Sequence, residues 1–493
     1  MRDILEPKSF KFPTFSTESK VYGYLDDIIL NNRKVLIEGD YDVDGITCGL
    51  VISDYLKALG SRNHEIFRYK SRTHSIDRYA MFQAIQGNYD YFIIGDTGSS
   101  DMEVIERVVQ MGIKIIILDH HQSIYGYDDF PEEVAIINTT FENLLLKKDV
   151  YQLSAGALCY CVMAKYAKQN GIELKSEIAH ALVSLYADSV DMSNELNRGI
   201  YWEAVQFERS ELPICLQHFM NDYTVFGRRY IDYWYAPRIN ALFRSENLNL
   251  INLYFFEDLD TVGRSSVIEE IENTYVNIRD MIDKVSDVVK VEELKNYVFC
   301  NLRCVDDFMS IEDNKLYNYT GLIANKLSSR YKKVAIVLCE TVKCYKGSVR
   351  DLYGRDYLHT FMQFCKAGGH NPAFGFTLPL LEYSRFLATL RRLDLHGYQY
   401  KTCSTQQIIE ECDDLEPDST LIEDMGLYND FVGGSMPTAY IRKQYIGNIK
   451  QQYSQYYYCY AWGPYRIQSN YTLDFGTMML LKPVKRKNVT LMV

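Results

Sequence analysis

Several things are scarce or missing in this sequence, and each absence narrows what the chain can be. No apolar run approaches the ~20 residues needed to cross a bilayer as a helix. Residues 1–15, MRDILEPKSFKFPTF, hold no apolar stretch of the kind a secretory signal needs, so the chain is expected in the cytoplasm. None of the 12 cysteines belongs to a CxxC pair. The nearest couples, Cys159/Cys161 and Cys300/Cys304, have no His or Cys partner at zinc spacing, which favours reduced thiols over a disulfide framework or a structural zinc site. Positive charge is also short: 53 Lys and Arg stand against 65 Asp and Glu, a net charge of −12. Proteins that coat duplex nucleic acid are ordinarily basic, so that role is disfavoured. A site built from carboxylates, by contrast, is itself negative until cations neutralise it.

What is present is an ordinary globular balance, with 47% hydrophobic and 24% charged residues, and no repeat or low-complexity tract. A chain of 493 residues is too long for one core, and roughly two to four domains are expected. The 41 tyrosines are unusual. They crowd toward the end of the sequence, at Tyr453, Tyr456, Tyr457, Tyr458, Tyr460, Tyr465 and Tyr471. Strand propensity and core packing explain such a cluster. Stacking platforms for nucleic-acid bases are the alternative.

The first 200 residues alternate between short, β-branched apolar runs (34–42, 91–96, 114–121, 134–138) and helical patterns, including one at 49–59. That alternation predicts an α/β fold with a parallel sheet covered on both faces. In such sheets ligands bind beyond the carboxyl ends of the strands. The first three runs each end in Asp or His. Helices are expected at 154–169 and 176–190, then through most of 200–290, with 265–293 as a connecting helix. A second α/β unit begins near 297 and continues through a helix at 320–330, a strand at 334–338 and a glycine-bearing turn at 346–350. A helix then leads into 367–370. Acidic, turn-rich sequence at 410–419 precedes a mainly β region. The predicted domains are 1–200 (catalytic), 201–295 (helical connector), 296–380 (substrate-binding) and 381–493 (C-terminal β module).

Four clusters carry chemistry. The first is Asp40-Tyr41-Asp42-Val43-Asp44-Gly45, where alternate carboxylates converge if the chain stays extended. The second is Asp96 with Thr97-Gly98-Ser99-Ser100, the third Asp119-His120-His121, and the fourth Asp188 in the helical stretch 181–191. A lone Asp at a strand end is ordinarily a cap or turn residue. Several carboxylates and imidazoles gathered in one α/β unit would repel one another unless a cation neutralised them. Mixed Asp/His ligands suit Mn²⁺, with Mg²⁺ and Zn²⁺ as alternatives. Two such ions roughly 3.5–4 Å apart activate water and stabilise the leaving oxygen of a phosphoester.

These clusters resemble motifs I to IV of the DHH phosphoesterases, the third containing the Asp-His-His that names them. The resemblance implies that Asp42, Asp44, Asp96, His120 and Asp188 are metal ligands, with Asp96 bridging. It further implies that Asp40 is a ligand or supports one, and that His121 contacts the substrate phosphate or supports the site. Ala236-Pro237-Arg238-Ile239-Asn240-Ala241, with Arg244 behind it, resembles a segment typical of RecJ proteins. Lys346-Gly347-Ser348-Val349-Arg350 and Gly368-Gly369-His370 resemble the phosphate-gripping segments of the DHH-associated domain. By this resemblance Arg238, Asn240, Arg244, Ser348, Arg350, Gly368 and Gly369 bind substrate, and His370 donates to the scissile phosphate from a second lobe facing the first across a cleft. Arginine forks and glycine-rich turns suit phosphate.

The match covers about residues 30–380 and departs from the family at three places. Glu38 stands where some relatives carry His, RTHSIDRY at 72–79 lacks the usual glycines, and Asp191 replaces a usual proline. Beyond 380, Phe431-Val432-Gly433-Gly434 loosely resembles the entry to the RecJ oligonucleotide-binding fold. The basic residues Lys482, Lys485, Arg486 and Lys487 would suit a small barrel that holds single strands. The resemblance implies a 5′–3′ exonuclease on single-stranded DNA that uses two divalent ions, Mn²⁺ foremost. A single-strand-binding protein or helicase would be its protein partner. The alternative is a hydrolase of short oligoribonucleotides or cyclic dinucleotides, which the acidic net charge favours. A noncatalytic scaffold is disfavoured, because every metal ligand is retained.

Overall fold

The structure is a computed structural model. It describes residues 6, 8–71, 73–222, 224–302, 315–351, 361, 365–370 and 373–395, and in the remainder 408–411, 419–431, 439–444, 452–453, 458–462, 465–469, 478–484 and 490–492. The chain divides into two compact units, one of residues 1–268 with 407–493 and one of residues 269–406. No helix among the described residues is long and apolar enough to cross a membrane.

After helix α1 (Glu18–Leu30), the first unit builds a five-stranded sheet from β1 (Val35–Gly39), β2 (His64–Ile66), β3 (Tyr91–Gly95), β4 (Lys114–Asp119) and β5 (Val134–Asn138). The strand order is β2-β1-β3-β4-β5, and every pairing is parallel. All five residues of β1, β3 and β5 are buried, as continuous apolar runs covered on both faces require. The intervening helices are α2 (Val43–Ala58), α3 (Arg78–Gln86), α4 (Met102–Gln110) and α5 (Thr139–Leu146). Because β2 and β3 flank β1 on opposite sides, the order reverses at β1/β3. A crevice therefore opens beyond their carboxyl ends.

Helix α2 begins at Val43, six residues before the expected start. Asp42 caps it, its side chain accepting from the Gly45 N–H at 3.0 Å. Gly45 and Gly49 weaken the helical signal that composition alone provides. The early start also corrects the extended-chain expectation for the first cluster, since Asp44 stands in the first helical turn rather than on an extended segment.

Helices α6 (Ala155–Gln169), α7 (Ile178–Ala187) and α8 (Glu195–Ala204) follow. A short α9 (Ile214–Gln217), a π-helical turn (Ile231–Tyr235), α10 (Ala236–Ser245) and α11 (Leu248–Phe256) come next. The long α12 (Thr261–Val288) runs from the first unit into the second.

The second unit holds a mixed sheet of order β10-β11-β9-β8-β7-β6. Its strands are β6 (Val291–Glu293), β7 (Tyr297–Asn301), β8 (Val334–Glu340), β9 (Cys344–Arg350), β10 (Lys366–His370) and β11 (Ala373–Pro379). Only β7/β8 is parallel. Helices α13 (Thr320–Tyr331) and α14 (Tyr383–Leu395) complete it. Phe299, Ile336, Leu338, Phe361, Phe374 and Phe386 are core residues. The glycine-bearing turn expected at 346–350 is instead part of β9. Gly347 is needed there for packing, since a Cβ would lie 2.5 Å from the Phe376 ring.

The C-terminal region contributes helix α15 (Ser419–Phe431) and a seven-stranded sheet of order β12-β13-β17-β18-β16-β15-β14. Its strands are β12 (Ile408–Glu411), β13 (Ala439–Gln444), β14 (Gln452–Tyr453), β15 (Tyr458–Trp462), β16 (Tyr465–Ser469), β17 (Met478–Val484) and β18 (Thr490–Met492). The region is mainly β, as expected. It packs within the first unit: Tyr186 donates to the Phe431 carbonyl at 2.8 Å, and Arg228 to that of Asn429 at 2.7 Å. Lys485, Arg486 and Lys487, and all of 432–437, lie outside the described residues.

Candidate metal centre

The loops beyond β1, β3 and β4, together with the end of α7, bring seven side chains into one cluster. Three overlapping groups each have ligand atoms within 4.8 Å of one another: Asp96/His120/His121, Asp44/His120/Asp188 and Asp40/Asp42/Asp96. Asp96 and His120 are each shared by two groups and form the hub. His120 Nε2 stands 3.3 Å from Asp96 Oδ1 and 3.9 Å from Asp44 Oδ2, while its Nδ1 is 3.7 Å from Asp188 Oδ2. His121 Nδ1 lies 3.8 Å from Asp96 Oδ1. Asp188 caps the C-terminus of α7 rather than lying inside a helix.

Local structure fixes each carboxylate. The Asp40–Asp44 loop closes tightly because its flanking glycines carry no side chain. A Cβ on Gly45 would meet the Asp40 backbone at 2.3 Å, and one on Gly39 the Gly45 carbonyl at 1.9 Å. Asp44 is held by the first turn of α6, accepting from the Ala155 and Gly156 N–H groups at 2.9 and 2.8 Å and from the Ser184 hydroxyl. A helix N-terminus stabilises a carboxylate in this way. Asp96 adopts φ +65°, a left-handed conformation uncommon for a side-chain-bearing residue. Such backbone strain concentrates at functional sites. Asp119 is in none of the three groups but supports one of them through His121. It accepts from the backbone N–H of Ser99, His120 and His121 and from His121 Nδ1, the last at 2.8 Å. Asn138, at the end of β5, ties the same loops by donating to Ser99 Oγ and the His121 carbonyl.

The electrostatics of this arrangement are unfavourable without a cation. Asp40, Asp44 and Asp96 are buried, and Asp40 Oδ1 and Asp96 Oδ1 meet no hydrogen-bond donor. Burial, then the charges of Asp44, Asp42, Asp40 and Asp188, hold Asp96 well above the usual carboxylate range. Burial, then Asp188 and Asp42, does the same to Asp44. Asp42 is raised by burial and by Asp40. Burial disfavours charge on His121, but its hydrogen bond to Asp119 prevails and pushes it up to about 9. Buried carboxylates so close together, with oxygens lacking donors and imidazoles among them, fit a divalent-cation site.

Two contributors escaped the sequence reading. His74 Nδ1 sits 2.9 Å from Asp40 Oδ2. It belongs to the RTHSIDRY segment, whose missing glycines were the available signal. Ser184 reaches Asp44 from 140 residues away, a pairing no local motif reveals. Glu38 is in none of the three groups. It is buried, accepting from the Asp77 N–H at 2.6 Å.

The remaining expected residues are carried by other elements. Arg238, Asn240 and Arg244 are on α10. Arg238 is buried. It donates to the Trp234 carbonyl at 2.8 Å and stacks 5.0 Å from the Trp234 ring. Ser348 and Arg350 are on β9 of the second unit. The Ser348 hydroxyl is 2.9 Å from that of Thr320, in the first turn of α13. A Cβ on Gly321 would lie 2.6 Å from Arg350 Nη2. The guanidinium donates to the Val349 and Phe374 carbonyls, and burial lowers it to about 10. Gly368, Gly369 and His370 are in β10. The side chain of His370 lies outside the described residues.

Residues 34–184 match the model of the DHH family, N-terminal domain. A Bacillus subtilis (strain 168) protein named "Putative SPbeta prophage-derived single-strand DNA-specific exonuclease YorK" is 25% identical over 385 residues, covering 71% of this chain and 64% of that protein. The B. subtilis single-stranded-DNA-specific exonuclease RecJ is 24% identical over 367 residues, covering 71% and 44%. The chain thus spans less than two thirds of the length of these relatives. RecJ from Thermus thermophilus, solved with Mn²⁺, superposes with a TM-score of 0.74 at 14% identity, covering 99% of this chain and 72% of that one. The same protein solved with Mg²⁺ gives 0.67 at 15% identity, covering 100% and 71%. The fold is shared with these structures.

Proposed function

We infer that this chain, a divergent RecJ-like member of the DHH superfamily, hydrolyses phosphodiesters with the help of divalent cations, and that its substrate is single-stranded DNA digested from the 5′ end. The observation that carries the reading is the cluster around Asp96, where buried carboxylate oxygens lacking donors converge with His120. The names of the YorK and RecJ relatives support the choice of single-stranded DNA.

Asp42, Asp44, Asp96, His120 and Asp188 would hold the cations, and Asp40, braced by His74, would complete the shell. Two divalent ions, with Mn²⁺ the proposed occupant, would neutralise these charges, activate water and offset charge on the leaving oxygen. His121 is half-exposed and fixed through Nδ1 by Asp119, which leaves Nε2 to donate to a phosphate oxygen. Ser348 and Arg350 offer a hydroxyl and a guanidinium that is not ion-paired with a carboxylate among the described residues, a combination suited to phosphate. Gly368, Gly369 and His370 are assigned to the same anion site. Arg238 already spends one amino group on the Trp234 carbonyl, so any phosphate contact uses its other N–H groups. Asn240 and Arg244 are assigned beside it.

The test compares end-labelled single-stranded DNA, single-stranded RNA and dinucleotides, in Mn²⁺ and in chelator. Mn²⁺-dependent shortening of single-stranded DNA from the 5′ end is the expected result. Cleavage unaffected by chelator would overturn the metal reading, and a preference for dinucleotides would overturn the exonuclease reading.

A further inference from the structure

A second constellation of reactive side chains lies in the first unit, apart from the carboxylate cluster. His180 on α7 is buried, and its Nδ1 is 2.9 Å from Glu177 Oε2. Its Nε2 is 3.4 Å from Cys215 Sγ on α9. This is the order of a nucleophile, a base and a group that orients the base, each within hydrogen-bond reach of the next. Cys215 also differs from the other cysteines around it. Among the described cysteines of the first unit, Cys48, Cys159 and Cys161 are buried, whereas Cys215 is half-buried. Burial disfavours charge on His180, yet Glu177 and Cys215 beside it hold its imidazole well above the usual histidine range. The groups facing the site are Glu177 and Asp54, whose charge is felt with that of His180, and the hydroxyls of Tyr230, Tyr235 and Tyr254.

We propose that Cys215, His180 and Glu177 form an activated-thiol site that peroxides oxidise, and that its oxidation is felt at the carboxylate cluster through α7. The thiol proton passes to His180 Nε2. The sulfur then attacks one peroxide oxygen, an S–O bond forms and the O–O bond breaks. The departing hydroxide takes the proton from His180 and leaves as water. Cys215 becomes a sulfenic acid, two electrons having moved from sulfur to the peroxide. The route to the cluster follows helical spacing. His180 and Ser184 are four residues apart on one face of α7, and Asp188, four residues further on, caps its end. Ser184 donates to Asp44, and Asp188 stands beside His120. An oxygen inserted between Cys215 and His180 displaces the imidazole at one end of this row.

The test uses the full chain and peptide mapping after brief iodoacetamide treatment at pH 6.5. Cys344, also half-buried, is the internal reference, because burial pushes the Cys365 thiol up to about 12. An unassisted thiol is about 1% ionised there, so Cys215 should be alkylated about tenfold faster than Cys344. His180→Gln should remove the excess. Equal or slower reaction at Cys215, or an excess that survives His180→Gln, would overturn the site. If that variant does not fold, Glu177→Gln serves, with a reduced excess expected and an unchanged one counting against the proposal. For the second half, calorimetric Mn²⁺ affinity is measured before and after hydrogen peroxide. A severalfold loss in the wild type that is absent in Cys215→Ser is expected. An equal effect in both proteins, or none in either, would overturn the coupling while leaving the thiol assignment to the alkylation result.

Discussion

The carboxylate cluster of the first unit and the Ser348/Arg350 group of the second are unbalanced in opposite senses. Around Asp96 the buried groups are nearly all acceptors, and burial with mutual repulsion raises their affinity for protons. At Arg350 the charge is positive, the guanidinium donates to the Val349 and Phe374 carbonyls, and burial loosens its proton instead. Each region is costly by itself, and each is relieved by a ligand of the opposite charge. Divalent cations would supply the first kind of relief, and an anion such as a phosphate the second. The comparison therefore predicts that the two regions fail differently when altered.

The largest effect is expected from Asp96→Ala. Loss of the hub residue removes a side chain shared by two groups. Hydrolysis should fall on the order of a thousandfold or more, since cation catalysis contributes several kcal/mol. Retention of a tenth of the wild-type rate in Mn²⁺ would remove the basis for the metal reading. The companion measurement is thermal. Mn²⁺ at 100 times its dissociation constant should stabilise the wild type by about 2.7 kcal/mol. That gain should vanish in Asp96→Ala and persist in Arg350→Ala. An equal gain in all three proteins would place the ion elsewhere.

What the sequence made legible in these regions follows the range of the interactions. Acidic residues directly after apolar strands are local features, and Asp40, Asp42, Asp44, Asp96 and His120 could all be read from them. The cradle of Asp44 could not, because it joins residues 44, 155, 156 and 184 through backbone N–H groups and one hydroxyl. The early start of α2 was hidden for a related reason. Gly45 looks like a helix breaker but is required by the 2.3 Å approach of the Asp40 backbone. Gly347 misled in the same way, suggesting a turn where a strand must make room for Phe376. The helical part of the first unit, by contrast, announced itself by length and periodicity alone.

A smaller effect is expected at Arg350. If Arg350 grips phosphate as proposed, Arg350→Ala removes a charge-assisted contact worth about 1.5–3 kcal/mol. Hydrolysis should drop roughly ten- to a hundredfold. Arg350→Lys should recover only part of the loss, because it keeps the charge without the planar fork. Full activity in Arg350→Ala would break the comparison from the second side.

The smallest effect separates burial from metal binding. Asp54 is a half-buried carboxylate of the first unit, and it belongs to none of the candidate metal groups. Burial, then the nearby Glu177, pushes it up to about 6, whereas an unfolded Asp titrates at about 3.9. The folded state therefore holds this proton more tightly. The stability it contributes is complete below about pH 3.9 and is lost as pH rises through 6. Asp54→Asn has no proton to lose. The difference in unfolding free energy, variant minus wild type, should grow by on the order of 2 kcal/mol between pH 4 and pH 7 and then level off. Adding Mn²⁺ should leave that difference unchanged, because Asp54 is not a ligand. A flat difference across the window would mean that burial does not govern this carboxylate. A difference that Mn²⁺ erased would tie Asp54 to the cation site and dissolve the contrast between the two kinds of acid.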